Sequence, residues 1–460
     1  MSSLGPTAYL AFCVSSVLVL KAVNEMVTEP YMDEPFHVPQ VQAYCAGDYA
    51  YWDPKITTPP GLYVLSLALK RVFMLKCNLA MLRLTPLLTL LALPLVLTRL
   101  LCFHKREAAP RSLFAPTAEA VVLAAFPLAW FFGFLYYTEV PSLVSVALTV
   151  VAAAQNQHAL AALLGAVSCT FRQTNVIWVL YAYAASQLMS LRFRRAAPGA
   201  APVKRLHDPP ALVATPVDLL KAILSAPKVV PDILPAFVPY TLVIASFAAF
   251  VFWNGGIVLG DKSNHVPSFH IPQLYYFIGF STLVGWPALV SAPGGLQALA
   301  QGVWQRMFGS KRNAAVTCLV SAVMALTVYK FTIHHPFLLA DNRHYTFYVW
   351  RRVFRLHPVM PYLLIPGYIA CAWAWYLRIG HDQTLLQNLL VPLFVTPTLL
   401  PTPLLEPRYF LIPYVLLRAQ VGDVPGWGVA LEGLWYAAIN AATMWVFLYK
   451  EREGVGRFMW

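Results

Sequence analysis

Apolar residues occur along this chain in long runs that are separated by shorter polar segments. Runs of roughly 17 to 25 apolar residues have the length of a helix that crosses a bilayer. Only helices and closed barrels satisfy their backbone groups in lipid, and these runs lack the alternation typical of barrel strands. The pattern predicts an all-α polytopic membrane protein with about 12 to 14 transmembrane helices. The runs lie near residues 7–27, 82–101, 118–137, 140–154, 158–171, 174–190, 233–253, 271–291, 314–333, 359–378 and 384–400, with one or two more before the end.

Composition and charge support this prediction. The 460 residues are 59% hydrophobic and 12% charged, whereas soluble domains carry about 25% charged residues. The net charge of +13 would suggest nucleic-acid binding in a soluble protein. Here the basic residues cluster in loops, at residues 104–111, 192–210 and 305–312. The positive-inside rule places such loops in the cytosol, so we expect membrane lipids as partners and no nucleic acid.

The same rule predicts the topology. The first run has no basic n-region and no clear cleavage site, so we expect a retained anchor rather than a signal peptide. If that anchor starts in the cytosol, residues 28–80 form a large first lumenal loop. The segment at 57–73 carries Lys70 and Arg71 and is short for a span, so we predict a juxtamembrane helix in the interface plane. Residues 191–232 become a cytosolic loop, and residues 1–460 form one integral membrane domain.

The remaining polar stretches then all fall on the lumenal side. They are residues 29–58, 136–139, 171–175, 254–270, 334–348 and 404–410. Cys45 and Cys77 would also face this oxidising compartment, so a bridge between them is possible. The seven cysteines show no metal-binding spacing. This segregation of polar groups predicts chemistry at the lumenal face.

Two carboxylates, Asp33 and Glu34, follow the first apolar run. They either cap a helix that starts near Pro35 or supply a general base, a role worth roughly 10² to 10⁴-fold in rate. Adjacent carboxylates point apart on a helix, so only one is expected to reach a substrate. We name Asp33 as the base and Glu34 as a catalytic neighbour that orients the acceptor or the Asp33 carboxylate.

Cations recur on the same predicted side. Arg343 and His344 are either interface anchors or phosphate ligands, because arginine matches phosphate oxygens with a planar fork. The predicted donor phosphate-binding residues are Arg343, His344, Arg408 and Lys262. Aromatic residues near Asp33 either stack on sugars or form the interfacial belt. The predicted substrate-binding residues are His37, Tyr44, Trp52, Asp53, Lys55 and Asn342. Arg172 lies at or inside a span, with Glu139 as a possible partner.

Several nucleotide and metal motifs are absent from the sequence, namely Walker A, GxGxxG, HExxH and DxD. The absence of DxD argues against a metal-dependent enzyme that uses sugar nucleotides. It agrees with a donor whose leaving group is a lipid phosphate, and we expect no metal and no cofactor.

The polar motifs together resemble one known family. The matching segments are EPYMDEPFHVPQVQAYCAGDYAYWDPKITTPPGLYVLS, YYTE, FRQTN, NGGIVLGDKSNH, LADNRHYTFYVWRR, LLEPRYF and the terminal RFMW. They resemble motifs of the endoplasmic-reticulum dolichyl-phosphate-glucose alpha-1,2-glucosyltransferases, which add the last glucose to the lipid-linked N-glycan precursor. The segments span nearly the whole chain in order, except for the loop at 192–230. Pro35 and Pro60 depart from the residues expected there.

The resemblance implies a GT-C fold in the endoplasmic-reticulum membrane with a lumenal active site. It implies dolichyl β-D-glucosyl phosphate as donor and diglucosylated Man9GlcNAc2-diphosphodolichol as acceptor. It also implies inversion at the anomeric carbon without a metal, and an acidic base in the first lumenal loop. The alternatives are a transporter or scramblase for lipid-linked sugars, for which we find no internal repeat, and a non-catalytic membrane scaffold.

Overall fold

The computed structural model of the chain describes residues 4–194 and 205–460. These residues are predominantly helical and contain no β-strand. The first half contains α1 (Leu4–Met26), α2 (Glu34–Cys45), α3 (Gly61–Phe73), α4 (Leu79–Leu82), α5 (Leu84–Lys105), α6 (Ala118–Ala124), α7 (Pro127–Phe132), α8 (Glu139–Ala154), α9 (His158–Phe171), α10 (Val176–Phe193) and α11 (Pro216–Asn254). The second half contains α12 (Pro272–Val290), α13 (Gly295–Phe308), α14 (Lys311–Phe331), α15 (Pro336–Ala340), α16 (Tyr345–Val349), α17 (Met360–Leu363), α18 (Ile365–Gly380), α19 (Leu385–Leu399), α20 (Leu411–Ala419) and α21 (Gly426–Tyr449).

The helices fit a polytopic membrane protein. Within the described residues, four helical segments are long and apolar enough to cross a membrane, namely Leu4–Met26, Leu79–Lys105, Pro216–Asn254 and Lys311–Phe331. Buried apolar side chains form a continuous cluster through the bundle, with members such as Leu97 on α5, Leu143 on α8, Trp178 on α10 and Val415 on α20. The all-helical prediction is therefore confirmed.

Two predicted boundaries differ from the structure. The run at 118–137 is not one helix, because α6 ends before Pro127 and α7 begins at it. Proline lacks a backbone N–H and disfavours helical geometry in the residue before it, and Phe126 is accordingly non-helical. Part of the predicted loop 191–232 is helical, since α11 starts at Pro216 with a Thr215–Asp218 capping box. Residues 195–204 of that loop lie outside the described residues.

The connections between helices meet at two ends of the bundle. At one end, which we call the site face, the Gln173 amide donates to the carbonyl oxygens of Thr57 and Ile257. At the other end, the opposite face, the Gln383 amide donates to the carbonyl oxygens of His104 and Gln420. The polar stretches that the sequence grouped together contribute to the site face. The described parts of the basic loops lie at the opposite face, where Arg106 donates to the Asp382 carbonyl, Arg192 to the Gln387 side chain and Arg306 to the Leu212 carbonyl.

A buried ionic cluster ties three helices together near the opposite face. The fully buried guanidinium of Arg418 on α20 lies 2.7 Å from Glu432 on α21 and 3.1 Å from Glu119 on α6. A charge away from water is retained only when it is paired and hydrogen-bonded. This cluster therefore fixes the relative positions of α6, α20 and α21.

Residues 28–80 fold into a small unit on the site face. Its own apolar cluster includes Val41, Leu62 and Tyr63. The segment predicted as a juxtamembrane helix forms α3, which is only 13 residues long. Cys45 and Cys77 form a disulfide across this unit, with their Cα atoms 6.6 Å apart. The possible bridge considered from the sequence is thus present in the structure.

We predict that two of the seven cysteines resist alkylation when the protein is purified from an oxidising compartment, denatured and left unreduced. The other five are free thiols and should react. Mass spectrometry of the alkylated protein measures the number. The Cys45→Ser protein should lose about 3 to 4 kcal/mol of stability, because the bridge closes a loop of 32 residues. Alkylation of all seven cysteines would contradict the pairing.

Candidate active site

The adjacent carboxylates Asp33 and Glu34 have opposite environments. Glu34 is completely buried and forms a bidentate ion pair with Arg83, at 2.8 and 2.6 Å. Its carboxylate also accepts hydrogen bonds from the backbone N–H groups of Tyr31 and Tyr136. Arg83 in turn donates to the carbonyl oxygen of Val27. Both oxygens of Glu34 are therefore engaged, and neither is available to a substrate.

Asp33 is open to the site. It occupies the N-cap position of α2, but its side chain makes no capping hydrogen bond. Its carboxylate is 37% exposed and lies 2.6 Å from the guanidinium of Arg408. Its backbone N–H donates to the hydroxyl of Tyr137. Asp33 thus occupies the capping position with its backbone, but its carboxylate contacts Arg408 and does not cap the helix.

The backbone beside Asp33 is strained. Met32 has φ +60°, in the left-handed region that residues with a side chain rarely adopt. Such strain persists only where surrounding contacts impose it, and it concentrates at functional sites. The buried Glu34 on one side and its bond to the Tyr31 N–H on the other impose it here. The result is a fixed direction for the Asp33 side chain.

Arg408 is the charge at the centre of the site. It lies in a short 3₁₀ helix, Pro407–Phe410, which follows α19. Its guanidinium contacts Glu406 and Asp33 and lies 3.8 Å from Glu139. Burial alone would raise the pKa of Asp33, but the charge and hydrogen bond of Arg408 outweigh it and hold that pKa below its ordinary value. Asp33 is therefore ionised at neutral pH.

Glu139 and Arg172 form a second ion pair beside Arg408, as the sequence suggested. The Glu139 side chain is only 2% exposed, and its Oε2 has no hydrogen-bond partner among the described residues. Arg172 also lies over the ring of Tyr409. Buried polar atoms usually have a hydrogen-bond partner, so an unpaired carboxylate oxygen next to two guanidinium groups marks this position as a candidate for a functional role.

Two cavities meet at Arg408. The first, which we call the Asp33 cavity, has a volume of about 270 Å³ and is lined by the carboxylates of Asp33, Asp341 and Glu406. The second, the Arg172 cavity, has a volume of about 210 Å³. Its polar wall contains Arg172 and the Glu139 carboxylate, and much of the rest of its wall is apolar. The residues common to both cavities are Phe337, Leu404 and Arg408.

Arg343 and His344, predicted to bind phosphate, lie on the site face with partners of their own. Arg343 donates three side-chain hydrogen bonds to Asp341, at 2.6 to 3.0 Å. His344 lines the Asp33 cavity, and its Nδ1 lies 2.7 Å from the backbone oxygen of Trp460. The structure brings His344 into the wall of the Asp33 cavity, whereas Arg343 lies over the Tyr31 ring and is already neutralised by Asp341.

The other predicted residues separate into two groups. His37 is close to Asp33, one turn along α2, and burial lowers its pKa despite the nearby carboxylates of Asp33 and Glu139. Asn342 lies between Asp341 and Arg343. The second group lies away from Asp33. Tyr44 and Trp52 pack against Tyr63 within residues 28–80. Asp53 accepts a hydrogen bond from the Lys55 N–H, the Lys55 side chain lies over Phe36, and the exposed Lys262 donates to the Asn254 carbonyl.

Tyr44 and Trp52 thus have packing partners within residues 28–80 and line neither the Asp33 cavity nor the Arg172 cavity. The sequence could not separate them from sugar-stacking residues, because both uses favour tyrosine and tryptophan. Asp341, Glu406, Met459 and Trp460 line the Asp33 cavity but are not among the predicted site residues. Asp341 and Glu406 stand beside predicted cations in the sequence, and pairing between such neighbours is the signal that points to them.

The whole chain was compared with known proteins. The sequence profile of the DIE2/ALG10 family matches residues 27–419. The chain belongs to this family. A human relative is 34% identical over 97% of this chain and 96% of its own length, and an Arabidopsis thaliana relative is 32% identical over 95% and 96%. Both are named Dol-P-Glc:Glc(2)Man(9)GlcNAc(2)-PP-Dol alpha-1,2-glucosyltransferase. No solved structure matches the chain significantly.

Membership of the DIE2/ALG10 family confirms the resemblance inferred from the motifs. The family match includes every element of the site except the segment that carries Met459 and Trp460. In residues 4–194 and 205–460, no group of three or more His, Cys, Asp or Glu side chains could hold a metal ion. A metal-independent reaction stays a prediction.

We predict that the Glu34→Gln protein is destabilised by about 3 to 5 kcal/mol, because the substitution leaves the buried Arg83 charge without its partner. The matched Asp33→Asn change should cost about 1 kcal/mol or less, since its ion pair is partly exposed. Thermal unfolding of both purified proteins in detergent makes the comparison. Equal unfolding midpoints for the two variants would contradict the structural role of Glu34.

Proposed function

We propose that this chain transfers glucose from dolichyl β-D-glucosyl phosphate to Glc2Man9GlcNAc2-diphosphodolichol and forms an α-1,2 link. One observation carries the proposal. Asp33 contacts Arg408 where two cavities meet, one lined by carboxylates and the other by Arg172 and apolar side chains. An inverting sugar transfer needs a base and an anion-binding group on opposite sides of the reacting carbon.

The membrane arrangement follows from the two faces of the bundle. The site face carries the disulfide, which forms in oxidising compartments. The opposite face carries the basic loops, which stay in the cytosol. We therefore assign the site face to the lumen of the endoplasmic reticulum. For the fold we propose the GT-C class, because the chain belongs to the DIE2/ALG10 family. Because residues 450–460 also lie on the site face, the chain crosses the membrane an odd number of times if α1 starts in the cytosol.

The donor fits the Arg172 cavity. Apolar residues such as Trp178, Leu411 and Ile412 form part of its wall and belong to α10 and α20 in the bundle. This wall suits the first units of a polyprenyl chain. Arg172 and Arg408 suit the phosphate, because guanidinium forks match phosphate oxygens. We therefore assign the phosphate to these two residues rather than to Arg343, His344 or Lys262.

The acceptor sugar fits the Asp33 cavity. Its carboxylates, Asp33, Asp341 and Glu406, accept hydrogen bonds from hydroxyl groups. Three carboxylates and one arginine, Arg408, line the Asp33 cavity, whereas two arginines and one carboxylate, Glu139, line the Arg172 cavity. Charge therefore favours the phosphate in the Arg172 cavity. The acceptor hydroxyl then lies on the side of Arg408 that is opposite the donor.

The reaction is a single displacement. The Asp33 carboxylate takes the proton from the 2-hydroxyl of the terminal acceptor glucose, and the oxygen forms a bond to the anomeric carbon of the donor. The bond from that carbon to the phosphate oxygen breaks, and dolichyl phosphate leaves with the electron pair. Attack from the face opposite the phosphate converts the β-linked donor into an α-linked product. Arg408 and Arg172 hold the developing charge, and they are positioned before the reaction begins.

Arg408 links donor binding to the pKa of Asp33. Without substrate, its charge stabilises the ionised Asp33 and makes it a weak base. A donor phosphate competes for the same guanidinium. When Arg408 donates to the phosphate, its hydrogen bond and part of its charge are withdrawn from Asp33. We therefore expect the pKa of Asp33 to rise and its carboxylate to accept a proton more readily when the donor is bound.

We predict that the Asp33→Asn protein loses transfer activity by roughly 10² to 10⁴-fold, because an amide cannot accept the proton. Release of product from the purified protein with both lipid-linked substrates gives the rate. The control is Glu29→Gln, which neutralises an exposed carboxylate nearby on the site face and should keep wild-type activity.

Wild-type activity in the Asp33→Asn protein would remove Asp33 from the role of base. A wild-type protein that moves lipid-linked sugars across vesicles without transferring glucose would instead support the transporter alternative.

A further inference from the structure

The last segment of the described chain, residues 450–460, folds back onto the site face. Its turn is closed by hydrogen bonds between Arg452 and Gly456. Gly456 has φ +100°, and an added Cβ would lie 3.3 Å from the Tyr31 hydroxyl. Only glycine accommodates this turn comfortably. We call residues 450–460 the tail segment.

The tail segment is anchored at several points. Arg457 donates to the carbonyl oxygens of Met26, at the end of α1, and of Leu448, near the end of α21. The Tyr31 hydroxyl donates to the Arg457 carbonyl. Farther along, the Met459 N–H donates to the Arg343 carbonyl at 2.8 Å. These bonds connect the tail segment to the C-terminal ends of α1 and α21 and to the loop that carries Arg343.

The anchoring brings two side chains into the wall of the Asp33 cavity. Met459 is buried, at 2% exposure, and Trp460 packs against Tyr345 with ring centroids 4.7 Å apart. The Trp460 indole nitrogen has no hydrogen-bond partner in the part of the chain that the structure describes. The ring is thus positioned by aromatic contact rather than by a bond of its own, while the backbone around it is fixed.

We propose that Trp460 is a sugar-binding residue that positions the terminal hexose of the acceptor over Asp33. This inference rests on the proposed function and adds a residue outside the segment matched by the family profile. The cavity offers carboxylates for hydroxyl groups, and Trp460 offers an aromatic wall for the apolar face of a sugar ring. Carboxylates and an aromatic ring together are suited to a neutral hexose.

The position of Trp460 favours the acceptor over the donor. Trp460 lines the Asp33 cavity and is not part of the wall of the Arg172 cavity. Met459 holds the same segment against Arg343, whose side chain is engaged by Asp341. Trp460, Asp341 and Asp33 therefore surround one space, and the three carboxylates in its wall make it less favourable for the donor phosphate than the Arg172 cavity.

The test compares Trp460→Leu with Trp460→Phe in the full chain, and measures KM separately for the acceptor and for the donor. Leucine removes the aromatic face, so the acceptor KM should rise about three- to tenfold, the range typical of one aromatic contact. Phenylalanine retains an aromatic face and should cause a smaller rise. The donor KM should not change in either variant. Trp427→Leu, at an exposed tryptophan on α21, is the matched control.

Three results would overturn the inference. They are an unchanged acceptor KM in the Trp460→Leu protein, a rise in the donor KM instead, and a parallel change in both KM values together with a lower unfolding midpoint than that of Trp427→Leu. The last result would show a merely structural role. A wild-type protein with no transfer activity would contradict the proposed function itself, whereas normal wild-type turnover with an unaffected Trp460→Leu protein would contradict only this inference.

Discussion

The buried ion pair between Glu34 and Arg83 fixes the geometry on which the site depends. The Glu34 carboxylate receives hydrogen bonds from Arg83 and from the backbone N–H groups of Tyr31 and Tyr136. The pair therefore joins the segment after α1, the start of α2, the start of α5 and the segment before α8. Removing one partner of such a pair is costly, because the other charge stays buried. Asp33 directly precedes Glu34 in the chain, so its backbone is held by this ion pair. Its direction, and the strained Met32 before it, follow from the position of Glu34.

The balance of charge around Arg408 explains how one site handles two lipid-linked substrates. Each arginine of the site has a carboxylate partner, with Arg408 beside Asp33 and Glu406, and Arg172 beside Glu139. A phosphate that enters must therefore displace a carboxylate from one of these arginines. Because Arg408 borders both cavities, this exchange transmits the presence of the donor to the carboxylate on the acceptor side.

Much of the fold was predictable because the bilayer imposes helices on every apolar run and leaves charged chemistry at their ends. The gathering of distant polar stretches on one face followed from charge alone, as did the Arg172–Glu139 pair. The sequence did not predict that Glu34 is buried while Asp33 faces the cavity. This difference depends on which side of α2 meets Arg83, a residue 49 positions away. The pairing of Arg343 with Asp341 and the return of Trp460 to the cavity depend on tertiary contacts that local pattern does not encode.

The exchange of partners at Arg408 is tested most directly by a structure of the protein with an unreactive phosphonate analogue of the donor. The decisive quantities are the distances from the Arg408 guanidinium to a phosphonate oxygen and to Asp33. We expect the first to be about 2.7 to 2.9 Å, the range of a charge-assisted hydrogen bond, and the second to exceed its present 2.6 Å. A phosphonate bound by Arg343 and His344, with the Arg408–Asp33 contact intact, would contradict the account.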